Sequence, residues 1–447
     1  MYDVSGAKVS DSHRLGIADL RSAFSRDALK PTAYIRDMLA RIGRFNPELK
    51  AYIGVDREGA LAAALESERR YAEDQQRPLE GVGIAIKANI AVKGLELSAG
   101  MAARSGMIAD ADSEAVRRLR DAGAVIVGTL NMHEAALGAT TDNPFYGRCV
   151  NPHGEGRTPG GSSGGSGVAV AAGLCTAALG TDTLGSIRIP ASYCGVYGLK
   201  PTHGALSGEG LVPLSEEYDA VGPLARSMDD ISFLSNILFK PDLASALQRA
   251  RFLTLEDLGG VSAEPDVAGI FNFAVGLLPQ QAQSIRLGTQ CGRVRVAGFA
   301  RAARELAVHL VPLGEERCSR ISEATGQLID FGLSRTEAEI VEDSAILADV
   351  RAVLLEQIGV NGILVLPTTP QVAFEQGTRP PSNQADWTAL ANIAGLPALS
   401  LPIGRTAQGM PIGMQLIGPP NGEALLIAQA RAINDRVKAY TPPSRFW

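Results

Sequence analysis

Residues 113–131, SEAVRRLRDAGAVIVGTLN, decide the fold class. SEAVRRLRDAG at 113–123 reads as an amphipathic helix ended by Gly123, and AVIVGTLN follows as a buried strand. Just upstream, PLEGVGIAIKANIAVKG at 78–94 carries a strand-like apolar run from Val82 to Ile86. Strand, helix and strand in succession indicate an α/β fold.

Working outward, residues 1–75 read as an N-terminal helical segment, because LGIADLRSAFS, AYIRDMLARIGRF and REGALAAALESERRYAE each repeat apolar residues every three to four positions, with NPELKAYIGV between them a short connection into a strand. Residues 240–345 read as mainly helical, a separate lobe or a cover. The buried run GILVLPTTP at 362 resumes the sheet, and LPALSLPIG and PIGMQLIGPP supply further strands within 360–435. Sheet texture at both ends of the chain favours one interleaved domain over 1–447 rather than separate beads.

Bulk properties narrow the function. A net charge of −6 disfavours a general nucleic-acid binder. MYDVSGAKVSDSHRLG has no apolar core, so no secretory leader is expected, and VAVAAGLCTAALG at 168–180 is too short to span a bilayer. Cys149, Cys175, Cys194, Cys291 and Cys318 are scattered with no C-x-x-C pair, which fits reduced thiols in a cytoplasm. No Cys/His cluster has metal-ligand spacing, so no metal site is expected from these residues.

Two glycine-rich loops carry the chemistry: TPGGSSGGSG at 158–167 and GTDTLGSIRIP at 180–190. A flexible linker is disfavoured by the buried elements on either side. A phosphate cradle is disfavoured because no Lys follows the glycines of the first loop. A catalytic loop needs a nucleophile, a base and an anion cradle. Ser186 is the candidate nucleophile, since Gly185 permits a sharp turn and close backbone approach. Its base is a histidine or a lysine. His153 and His203 lie in loops near the motif. Lys87 ends a strand of small apolar residues, where burial would lower its pKa and free the amine as a general base; the alternative is a strand-end lysine reaching solvent.

Taken together, GVGIAIKANIAVKG, PGGSSGGSG and GTDTLGSIRIPASYCGVYGLKPT resemble the signature of the amidase signature family of serine hydrolases. RLRDAGAVIVGTLNMHE, YDAVGPLARSMDD, ANIAGLPALSLPIG and GMPIGMQLIGPP resemble further family blocks in the same order, leaving 240–345 the divergent, substrate-side stretch and 79–205 the signature core. The resemblance implies an α/β/α sandwich around a central twisted mixed sheet. It implies a triad of Lys87 as base, Ser162 as bridging serine after a cis peptide bond, and Ser186 as nucleophile. The backbone N–H groups of Thr183, Leu184, Gly185 and Ser186 would form the oxyanion hole, supported by Ser163, Asp182 and Arg188. Where the family usually writes D-x-G-G-S, this chain has Leu184 in place of the first glycine, close to the expected hole.

The implied activity is hydrolysis of a small polar amide through an acyl-enzyme, with no nucleic acid or membrane partner and homo-oligomerisation left open. The resemblance implies neither metal nor organic cofactor, and because members of the family hydrolyse carboxybiuret and allophanate it leaves a charged substrate such as a carboxylated urea derivative open. Two rivals remain: the glutamine-hydrolysing subunit of a tRNA-dependent amidotransferase, and a catalytically silent binding protein on the same fold. The former often writes S-I-R-Q-P after the nucleophile, where this chain has Ile189. The pocket wall is expected from 240–345 and from residues near Tyr146, Tyr193 and Trp387.

Overall fold

The computed structural model describes residues 9–247 and 249–447; the first eight residues of the N-terminal segment and Gln248 lie outside the described residues. The helix predicted after Ser113 spans Glu114–Asp121, and the Ser113 hydroxyl caps it by accepting from the Val116 N–H at 3.3 Å. Such a cap stabilises by about 1 kcal/mol. The flanking runs form β2 (Gly83–Lys87) and β3 (Val125–Leu130), which pair in parallel, preceded by β1 (Tyr52–Val55), antiparallel to β3. A small hairpin of β4 (Asp142–Asn143) and β5 (Gly147–Arg148) follows. The second glycine-rich loop is flanked by β6 (Ala177–Asp182) and β7 (Tyr197–Lys200), and β8 (Ala220–Ala225) comes next. The remaining strands are β9 (Arg251–Leu255), β10 (Gln283–Ile285), β11 (Gly362–Pro367), β12 (Ala398–Arg405) and β13 (Pro411–Ile417).

Among the described residues, eleven of these strands join in one mixed sheet of order β1-β3-β2-β6-β8-β7-β12-β13-β11-β9-β10. Every position of β2, β3, β6, β8 and β11 is buried, so helices cover both faces. This is the mixed sheet with flanking helices that the sequence led us to expect.

The 240–345 stretch departs from its reading in one respect. It does hold helices at Pro265–Gly276, Cys291–Leu310 and Glu323–Leu333, but RFLTL is strand β9, parallel to β11, and QSI is edge strand β10. Five residues cannot display a helical period, and what makes RFLTL a strand is the free edge of β11, more than a hundred positions away in sequence. In the N-terminal segment NPELKAYIGV does lead into a strand, β1, which lies between the helices Pro31–Leu49 and Arg57–Ala72.

The glycines of the first loop are needed for backbone packing. A Cβ on Gly165 would sit 2.3 Å from the Asn131 carbonyl oxygen and 2.6 Å from that of Ala51. The buried helix Gly164–Ala171 therefore lies directly against the main chain on either side of β1 and β3 and sets the depth of the serines just before it.

Candidate active site

Lys87 is the last residue of β2 and is fully buried. Its Nζ lies 2.7 Å from Ser162 Oγ and 2.7 Å from Thr181 Oγ1. Burial pushes the amine down from 10.5 to about 7, with the carboxylates of Asp219 and then Asp182 opposing. The peptide bond Gly161–Ser162 is cis. Ser162 is held by its carbonyl, which accepts from the His133 N–H at 3.0 Å.

Ser163 fastens the two loops together. Its N–H donates to the Ser186 carbonyl at 3.1 Å, its hydroxyl donates to the Thr181 carbonyl at 3.0 Å, and that same hydroxyl accepts from the Thr181 N–H at 3.3 Å. Ser186 is thereby fastened to the loop that carries Ser162. Among the described residues no hydrogen bond joins the Ser162 and Ser186 hydroxyls; catalytic hydrogen bonds are often long before substrate binds. Ser186 is 8% exposed where Lys87 and Ser162 are 0%, so it is the member of the three that meets the pocket.

The turn around Ser186 is shaped by Asp182. Its carboxylate accepts from the N–H groups of Gly185 at 2.7 Å and Ile187 at 3.1 Å, and from Arg188 Nε at 3.0 Å and Nη2 at 2.9 Å. Burial alone would raise the Asp182 pKa; the charge and hydrogen bonds of Arg188 overcome it and hold the group at about 2. Arg188 is completed by Gln415 Oε1 at 2.8 Å and Asn392 Oδ1 at 2.6 Å. Removing one partner of a buried pair leaves the other charge uncompensated, so Arg188→Met should cost about 3–5 kcal/mol. Denaturant unfolding would register this; wild-type stability would show that the pair is not a support of the turn.

Of the four amides considered for the oxyanion hole, that of Gly185 is committed to Asp182. Among the described residues the N–H groups of Thr183, Leu184 and Ser186 have no protein acceptor. Leu184 does not need positive φ; that conformation falls on Gly185 at +132°. A Cβ there would lie 2.2 Å from Thr388 Oγ1, which itself donates to the Leu184 carbonyl at 2.7 Å.

A pocket of about 150 Å³ opens on Ser186, Thr183 and Leu184. The helix Cys291–Leu310 contributes Arg295, Phe299 and Ala302 to its wall. Tyr146, Tyr193 and Trp387 do not line it; their polar atoms bind Glu96, Gln371 and the Leu258 carbonyl as struts elsewhere. Neither loop histidine lines the Ser186 pocket: His153 Nε2 is 3.0 Å from the Cys194 carbonyl, and His203 borders a different cavity. Thr181, Asp219, Asn392 and Arg295 escaped the sequence reading. The first three lie inside stretches already singled out, GTDTLGS, YDAVGP and ANIAG, and that placement was the signal available. Arg295 lies in the divergent stretch and carried none. Among the described residues no helix is long and apolar enough to cross a membrane.

The Amidase family model matches residues 33–257 and 316–427. The chain belongs to the amidase family, the amidase-signature amide hydrolases. It is 30% identical over 446 residues to the A subunit of the glutamyl-tRNA(Gln) amidotransferase of Methylococcus capsulatus, covering 88% of this chain and 91% of that one. With the corresponding amidotransferase chain of Anaeromyxobacter dehalogenans it shares 43% identity over 222 residues, 49% of this chain and 45% of that one. Among solved structures it resembles a chain described as an amidase, with a TM-score of 0.88 and 30% identity over 95% of this chain and 100% of that one. It is also similar, at a TM-score of 0.89 and 29% identity over 96% and 100%, to a chain from a "vestigial protein complex" related to "an s-triazine catabolic enzyme".

Proposed function

We propose that the protein hydrolyses a small polar amide, with Ser186 as nucleophile, Ser162 as proton relay and Lys87 as base. The observation that carries this reading is the 2.7 Å contact between Lys87 Nζ and Ser162 Oγ inside a fully buried site. Neutral Lys87 takes the Ser162 proton as Ser162 takes that of Ser186, and Ser186 Oγ bonds to the amide carbon. The negative oxygen is received by the free N–H groups of Thr183, Leu184 and Ser186; one such donor is worth about 10²–10³ in rate. The C–N bond breaks as the proton returns through Ser162 to the leaving nitrogen, and water then releases the acyl group. Asp182 and Arg188 keep the turn in shape throughout.

The size of the pocket supports a small acyl group. The cation in its wall, Arg295, is already bound to Asp386 at 2.6 Å, which disfavours a strongly anionic substrate. Ammonia or amine release across a panel of small amides and acylated ureas tests the reading. kcat/KM should climb with pH through a midpoint near 7, because only the unprotonated amine accepts a proton. A flat profile from pH 5 to 10 would remove Lys87 as base, and no labelling of Ser186 by a fluorophosphonate would favour a silent binding protein.

Similarity to the amidotransferase chains over 88% of the sequence supports a second reading, glutamine hydrolysis in service of a partner. Co-purification with partner proteins and tRNA-dependent ammonia transfer would select it.

A further inference from the structure

We propose that Asp219 is a positioning residue of this site: its carboxylate tethers the turn that carries the oxyanion donors and stands as the counter-charge to the Lys87 amine. The inference rests on the reading of Lys87 as base.

The register of the sheet places Asp219 there. Asp182 ends β6 and pairs with Ala220, the first residue of β8. Thr183 and Asp219 are therefore the next opposing residues beyond the ladder, and the Thr183 hydroxyl donates to Asp219 Oδ1. The other oxygen, Oδ2, accepts from the N–H groups of Leu214 at 2.8 Å and Ser215 at 3.3 Å. Asn392 ties the same segments a second time, donating to the carbonyls of Asp182 at 2.8 Å and Tyr218 at 3.3 Å. Burial raises the pKa of the Asp219 carboxyl, and the three donors converging on it pull it back toward the ionised form.

The charges around Lys87 leave Asp219 a distinct task. β6 contributes Asp182, whose charge Arg188 matches at 2.9 Å. The segment after β3 contributes His133, which burial holds in the neutral form near pH 7. The segment leading into β8 contributes Asp219; among the described residues no arginine or lysine forms an ion pair with it, and His203, which borders the same cavity, is held below its usual pKa by burial. Its negative charge acts on the Lys87 amine more strongly than that of Asp182. When Lys87 takes up a proton during attack, Asp219 is the uncompensated anion that stabilises the ammonium.

Asp219→Asn keeps the shape, because the amide oxygen can take the Leu214 and Ser215 N–H groups while its nitrogen donates to the Thr183 hydroxyl. The rate of fluorophosphonate labelling of Ser186, followed against pH in the full-length protein, reads the effect without knowledge of the substrate. Loss of the anion makes Lys87 a weaker base. The ascending limb should move to lower pH by about one unit, and the plateau should fall roughly tenfold. Thr183→Val removes the tether and keeps the charge; it should lower the plateau while the midpoint stays near that of the wild type. A wild-type limb that Asp219→Asn leaves in place would reduce Asp219 to a strut and overturn the inference, with the lysine base intact. Absence of any limb in the wild type would overturn both. Should the Asn variant fail to fold, a wild-type labelling plateau in Thr183→Val would be enough to reject the tether.

Discussion

Ser186→Ala should lower turnover by at least about 10⁴-fold, because a hydrolase that loses its nucleophile keeps only what binding and the anion cradle supply. Covalent labelling by a fluorophosphonate should vanish with it. The fold should not notice. Among the described residues the Ser186 hydroxyl makes no hydrogen bond, and the contacts that hold the turn run through the Ser186 carbonyl and the amides on either side. Unfolding free energy should therefore stay within about 0.5 kcal/mol of wild type. Retained turnover, or an acyl adduct mapped to another residue, would move the nucleophile elsewhere.

Lys87→Met should have opposite effects on activity and stability. Losing a positioned general base costs about 10²–10⁴ in rate. The stability argument follows from linkage. The folded-state value near 7 lies below the 10.5 of the free amine, so between those values the unfolded chain binds the proton and the native protein does not. Stability consequently rises with pH across that window, and below about pH 7 the whole penalty is present, on the order of 5 kcal/mol. Methionine fills the space without asking for a charge. At pH 7 the variant should be more stable than wild type by about 1–4 kcal/mol, the remainder being lost in unpairing Ser162 and Thr181. The advantage should shrink as the pH approaches 10.5. Thermal melts at two pH values decide the matter; a destabilised variant at pH 7 would mean that the amine is held charged.

The parts of the site legible in sequence are those written in consecutive residues. GVGIAIK announces a buried strand that ends in an amine, and PGGSSGGSG and TDTLGSIR announce two turns whose glycines allow main chain to touch main chain. Asp182 and Arg188 are six residues apart, so their pairing was open to the same local logic. Asp219, Asn392 and Gln415 reach the turn from far along the chain, and only the strand order brings them there. The commitment of the Gly185 amide to Asp182 could not be read because it depends on a torsion, not on residue type. RFLTL was illegible for a related reason: its state is set by the edge it joins.

The strand order has a consequence for how the protein is made. Strands from the first half of the chain occupy one side of the sheet and those from the second half the other, meeting where β7 lies against β12. Arg188 reaches across that seam to Asn392 and Gln415. A ribosome that has already released Lys87, Ser162 and Ser186 has still not delivered the brace that fixes their loop. On the proposed reading the nascent chain carries all three groups for about half of its synthesis without the brace that fixes their loop, and the site is completed only in the closing stretch of translation.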